Sequence, residues 1–171
     1  MLKLLGLALI VGSASAVGFG FAANIRRQTA QLQDLRQAFG QMKNELRCRM
    51  TPLPELLHGL GQDVPGPVGA LFAACARRLQ ADRTGPVQAA FGFALDHTPQ
   101  LALPGPVRRA LLGLSMTLGR FDVEGQCRAI DLATRQTDAA LAELEQSRAA
   151  RCRSYRTLGV CAGLAIAVIL L

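Results

Sequence analysis

Both ends of this chain are apolar, and that limits what can lie between them. Residues 2–23 (LKLLGLALIVGSASAVGFGFAA) carry Lys3 as their only charge, and residues 158–171 (LGVCAGLAIAVILL) carry none. A bilayer core takes about 20 apolar helical residues, which the first segment supplies. The second rises about 21 Å at 1.5 Å per residue, so it is short, with its carboxylate near the far headgroups. The acidic residues, and every basic residue but Lys3, lie between the two. The pattern predicts a transmembrane helix over 1–23, a polar domain over 24–156 and a second transmembrane helix over 157–171.

The flanks predict the orientation. Arg26 and Arg27 follow the first segment, and Arg148, Arg151, Arg153 and Arg156 precede the second. Basic residues beside a span stay on the cytoplasmic side, which places the domain in the cytosol and both termini outside. The same arginines meet anionic lipid headgroups, worth about 1 kcal/mol each, and account for the net charge of +7. A cleavable signal peptide is the rival for the first segment, since Ala14-Ser15-Ala16 offers an A-x-A site. The apolar run continues past that site to Ala23, and two arginines that resist translocation follow. An uncleaved anchor is the expectation.

Small residues recur along both segments at every fourth position: Ala8, Gly12, Ala16 and Gly20 in the first, Gly159, Gly163 and Ala167 in the second. Such a stripe lets helix backbones approach closely in lipid. Pairing within one chain and pairing between chains, as in a homo-oligomer, fit it equally; so does the general abundance of glycine and alanine in spans.

The polar domain has the pattern of an all-α bundle. Ile25, Gln28, Leu32, Leu35, Phe39, Met42 and Leu46 alternate at three and four residues, as do Val123, Cys127, Ile130, Thr134, Thr137, Leu141 and Leu144. This is a coiled-coil-like seam of helix against helix. Both long helices reach the same membrane face, so they should run antiparallel, and the polar seam positions suggest packing against inner helices as well. Between them, Thr51-Pro52 opens a helix expected to stop near Gly59 to Gly61. The triplet Gly-Pro-Val, at Gly66, Gly85 and Gly105, then marks three further helix starts. No segment alternates with period two. About six helices result, the outer two long, around one modest core.

Little in the chain points to chemistry. The five cysteines form no C-x-x-C pair, so a disulfide framework or zinc site is not expected. His58 and His97 lack a partner at ligand spacing. With Lys3 and Lys43 the only lysines, no phosphate-binding G-x-x-x-x-G-K-[ST] loop exists. G-x-S-x-G and H-E-x-x-H are absent too. Tryptophan is missing and Tyr155 is the single tyrosine, so the arginine pairs lack the aromatic platforms of a nucleic-acid face. No enzyme, cofactor or metal is expected. The candidate contacts for a protein partner are Arg77 and Arg78, and the turn holding Arg120 and Asp122. Gly119 there suits a helix C-terminus and Asp122 an N-cap, while Arg120 is either a solvated charge or a contact to an acidic surface.

Several strings, in order along the whole chain, resemble the stage III sporulation protein AB family of endospore-forming bacteria. They are Met1-Leu2-Lys3-Leu4-Leu5-Gly6, Thr51-Pro52-Leu53-Pro54-Glu55, Gly66-Pro67-Val68-Gly69 with Leu71-Phe72, and Leu118-Gly119-Arg120 with Asp122 and Gln126. The resemblance implies a mother-cell membrane protein of a secretion-like channel into the forespore. It also implies a helical domain similar to that of the platform protein in type II secretion and type IV pilus machines, and a secretion-type ATPase as partner. A generic two-span anchor for a cytosolic interaction domain is the alternative.

Overall fold

The computed structural model describes residues 2–170 apart from Met50, Arg83 and Phe121, with side chains from residue 24 to residue 147. Among the described residues there are six helices and no strand: α1 Leu2–Cys48, α2 Leu53–Asp63, α3 Gly66–Ala81, α4 Val87–Asp96, α5 Gly105–Thr117 and α6 Val123–Leu170. The three Gly-Pro-Val triplets open α3, α4 and α5, because proline at the start of a helix forfeits an N–H that would have no partner there. No helix among the described residues is long and apolar enough to cross a membrane. The expected spans, with the small-residue stripes through Gly12, Ala16, Gly20, Gly159 and Gly163, lie outside the described side chains.

α1 and α6 run antiparallel. Arg36 meets Asp138 at 3.5 Å and Lys43 meets Asp131 at 2.6 Å. A step of one residue along α1 matches a step back along α6, so the N-terminal part of α1 and the C-terminal part of α6 leave the bundle at the same end. Ion pairs open to solvent to this degree add little stability; their value here is that they report the register. The seam between the helices is filled as its periodicity predicts, with Leu32, Leu35, Phe39 and Met42 buried on one side and Cys127, Ile130, Thr137 and Leu141 on the other. Thr137 sits in this apolar seam because its hydroxyl donates to the carbonyl of Ala133 at 2.9 Å, one turn back.

The inner helices complete a ring. α2 packs on α3, α3 on α4, α4 on α5 and α5 on α6, while α1 closes against α2 and α3. Phe72 and Phe91 meet edge to face at the centre, with centroids 6.4 Å apart, a geometry worth about 1 kcal/mol beyond the area it buries. Val68, Leu71, Phe72, Cys75 and Leu79 are buried along one face of α3, and Val107, Leu111 and Leu114 along one face of α5.

α2 does not stop at its glycines. It runs through Gly59 and Gly61 to Asp63 and ends at Val64, ahead of Pro65. Gly61 serves a different purpose: a Cβ there would lie 2.8 Å from the backbone nitrogen of Ala73, so its absence lets α2 and α3 touch through their backbones.

Cys75 is fully buried and its thiol donates weakly to the carbonyl of Ala90. Burial pushes the Cys75 thiol up to about 12. The thiolate is the reactive species, so at pH 8 Cys75 should resist maleimide until the protein unfolds. Exposed Cys48 should react at once. Reaction rates of single-cysteine variants test this, and equal rates would contradict the buried placement.

Candidate partner-binding site

The turn from α5 into α6 is built by local rules. α5 ends with Leu118 buried as an anchor. Gly119 then takes φ of +75°, a left-handed conformation that costs other residues about 1–2 kcal/mol. This reverses the chain and leaves the Gly119 N–H pointing at Gln126, whose Oε1 accepts from it at 3.4 Å. Asp122 caps α6 as expected: its Oδ1 accepts from the backbone N–H of Gly125 at 3.2 Å. Among the described residues, Arg120 is tied through its backbone N–H, which donates to Thr117 O at 3.3 Å. Its side chain is exposed. Asp122 therefore holds the turn and Arg120 is presented by it.

The position of the turn follows from the α1–α6 register. α6 begins at Val123 and α1 ends at Cys48, so the turn sits at the end of the bundle opposite the one where α1 enters and α6 leaves. The start of α2 lies beside it, with Leu53 within 3.7 Å of where a Gly119 Cβ would be.

Arg77 and Arg78 do not join this site. Both are exposed near the end of α3, and α3 packs on α1, α2 and α4 but on neither α5 nor α6. The Arg78 guanidinium lies 5.4 Å from the ring centroid of Phe93, which stacks on His97 at 3.9 Å. A cation over an aromatic face is attracted to it, so Arg78 has a structural occupation. Arg77 has no ion pair or hydrogen bond among the described residues.

One structurally important polar residue gives little sign of itself in the sequence. Gln31 is buried on α1, where its Nε2 donates to Gln100 O at 2.9 Å and its Oε1 accepts from the Ala102 N–H at 2.7 Å. This two-point clamp binds the connection between α4 and α5 to the bundle end where α1 enters. The available signal was a glutamine four residues before Leu35, on the apolar side of α1. No group of three His, Cys, Asp or Glu among the described residues could hold a metal ion.

The family model described as Stage III sporulation protein AB matches residues 3–171. The Stage III sporulation protein AB of Bacillus subtilis (strain 168) is 28% identical over 172 residues, covering 100% of this chain and 100% of that protein. A solved structure of stage III sporulation protein AB superposes with a TM-score of 0.66 at 25% identity, covering 72% of this chain and 98% of the other. The chain belongs to the stage III sporulation protein AB family.

Proposed function

We propose that this protein is a non-catalytic, platform-like membrane subunit of the secretion-type channel between mother cell and forespore, and that its cytosolic domain docks a secretion ATPase. Residues 1–23 and 157–171 are its two spans, packed through the stripes of Gly12, Ala16 and Gly20 and of Gly159 and Gly163. Residues 24–156 face the mother-cell cytoplasm. The observation that carries the reading is the common exit of α1 and α6 from one end of the bundle, with the Arg120 turn at the other. Two apolar segments continuing from that exit would hang the domain from one membrane face and hold the turn out toward the cytosol. The sequence lacks a phosphate-binding loop, in keeping with energy supplied by a partner.

Arg120 and Asp122 separate docking from architecture. Asp122→Ala should cost about 1 kcal/mol of stability by removing the cap and leave ATPase co-purification intact. Arg120→Glu should melt like the wild type and lower ATPase recovery at least tenfold. Wild-type recovery with Arg120→Glu would remove the turn from the docking surface. Failure of the wild-type chain to retain the ATPase would remove the partner.

A further inference from the structure

The geometry points to the groove between α5 and α6 as the seat of an acidic amphipathic helix from another protein, with Arg109 pairing to a carboxylate on that helix. The groove has a volume of about 410 Å³, and its floor is made of small residues, Ala110 and Gly113 on α5 and Ala129 and Ala133 on α6. Leu132 stands on its edge, 53% exposed, and Met116, three residues after Gly113 on α5, is 50% exposed. These are two of the three large apolar side chains exposed among the described residues. An apolar trough with small residues below and a large one at its edge takes the side chains of one helix face. Exposed apolar surface with a polar border marks an interaction site.

Charge selects the occupant. Arg109 is the one ionisable residue lining the groove. Its neighbour Arg108 pairs with Asp96, whereas Arg109 has no ion pair or hydrogen bond among the described residues. α5 contains no acid. On the outer side of α6, Arg128 and Arg135 are exposed, and Glu124, the acid nearest Arg128, is already engaged by it. A second copy meeting this groove face to face would bring the same arginines against these, and like charges repel. A helix with a carboxylate beside its apolar stripe satisfies both the trough and Arg109.

Leu132 gives a clean test, because it already carries a large side chain at the groove edge and is 53% exposed, so a probe there leaves the floor open. The photoreactive residue p-benzoylphenylalanine is placed at Leu132 in the full chain, in the cells that make it, with the same residue at exposed Gln80 on α3 as control. The crosslinked peptide is then identified by mass. The expected adduct is a segment of another protein with apolar residues three and four apart and an aspartate or glutamate among them. Arg109→Glu should lower its yield at least tenfold, and changing that acid to lysine should restore it. Three results overturn the proposal: a peptide from this same chain, a lipid adduct, or a yield no higher than at Gln80. An adduct indifferent to Arg109→Glu overturns the charge pairing. The identity of the crosslinked protein is read independently, so the groove can hold a helix even if the ATPase proposal fails.

Discussion

Gly69→Ala is expected to lower the stability of the domain by about 3 kcal/mol, the upper end of the usual range for forcing extra atoms into a packed site. A Cβ at Gly69 would lie 1.9 Å from the carbonyl oxygen of Val64, 3.0 Å from its carbonyl carbon and 3.2 Å from the carbonyl oxygen of Gly61. All three are backbone atoms, so no side chain can swing aside. They belong to the last turn of α2, which folds back on α3 through the short connection around Pro65 and Gly66. Relief would require α2 to leave α3, taking the buried side chains of Leu56, Leu57 and Leu60 with it. Gly40→Ala and Gly92→Ala are the controls: a Cβ at either meets nothing within 4 Å, and alanine is the better helix former by about 1 kcal/mol. Thermal unfolding of the full chain should place Gly69→Ala well below the wild type and the two controls at or above it. A Gly69→Ala variant that melts with the controls would mean that the α2–α3 contact is wrong.

Gln31→Met is the second large effect. Methionine keeps the length and fills the same space, but the Ala102 N–H and the Gln100 carbonyl lose their partners. Leaving buried polar groups unpaired costs about 1–3 kcal/mol for each, and Gln100 is exposed enough for water to serve its carbonyl. A loss of about 1–3 kcal/mol is expected, concentrated in residues 97–104. Hydrogen exchange separates this from a general loosening. Exchange should accelerate in the α4–α5 connection and stay near wild type in α2 and α3. Uniform acceleration would show that Gln31 supports the core and not the connection.

These two residues show where the sequence was legible and where it was not. The helix starts were readable because proline acts locally: each Gly-Pro-Val triplet opens a helix whatever surrounds it. The seam of α1 and α6 was readable because its period persists over many turns. Glycine was ambiguous. Gly119 marks a helix end as expected, yet Gly61 lies inside α2, and nothing local distinguishes a stop from a close approach. The distinction rests on Ala73, on the helix that packs against it. Gln31 needed a partner 69 residues away. Of the candidate site, the Asp122 cap was legible as a residue type beside a helix start. That Arg120 and the Arg77–Arg78 pair lie on different parts of the bundle, and that Arg78 is occupied by Phe93, depends on how α3 and α4 cross.

The proposed arrangement hangs the helical domain into the cytosol from a membrane that holds both ends of the chain. Cys48 tests it with a native side chain, because it is exposed at the far end of α1. A variant retaining Cys48 alone is treated with a membrane-impermeant maleimide in intact cells and again after permeabilisation. A second variant carries its single cysteine beside Lys3. The account predicts that Cys48 is labelled only after permeabilisation and the terminal cysteine in intact cells. Labelling of Cys48 in intact cells would put the domain on the wrong side of the membrane and contradict the account.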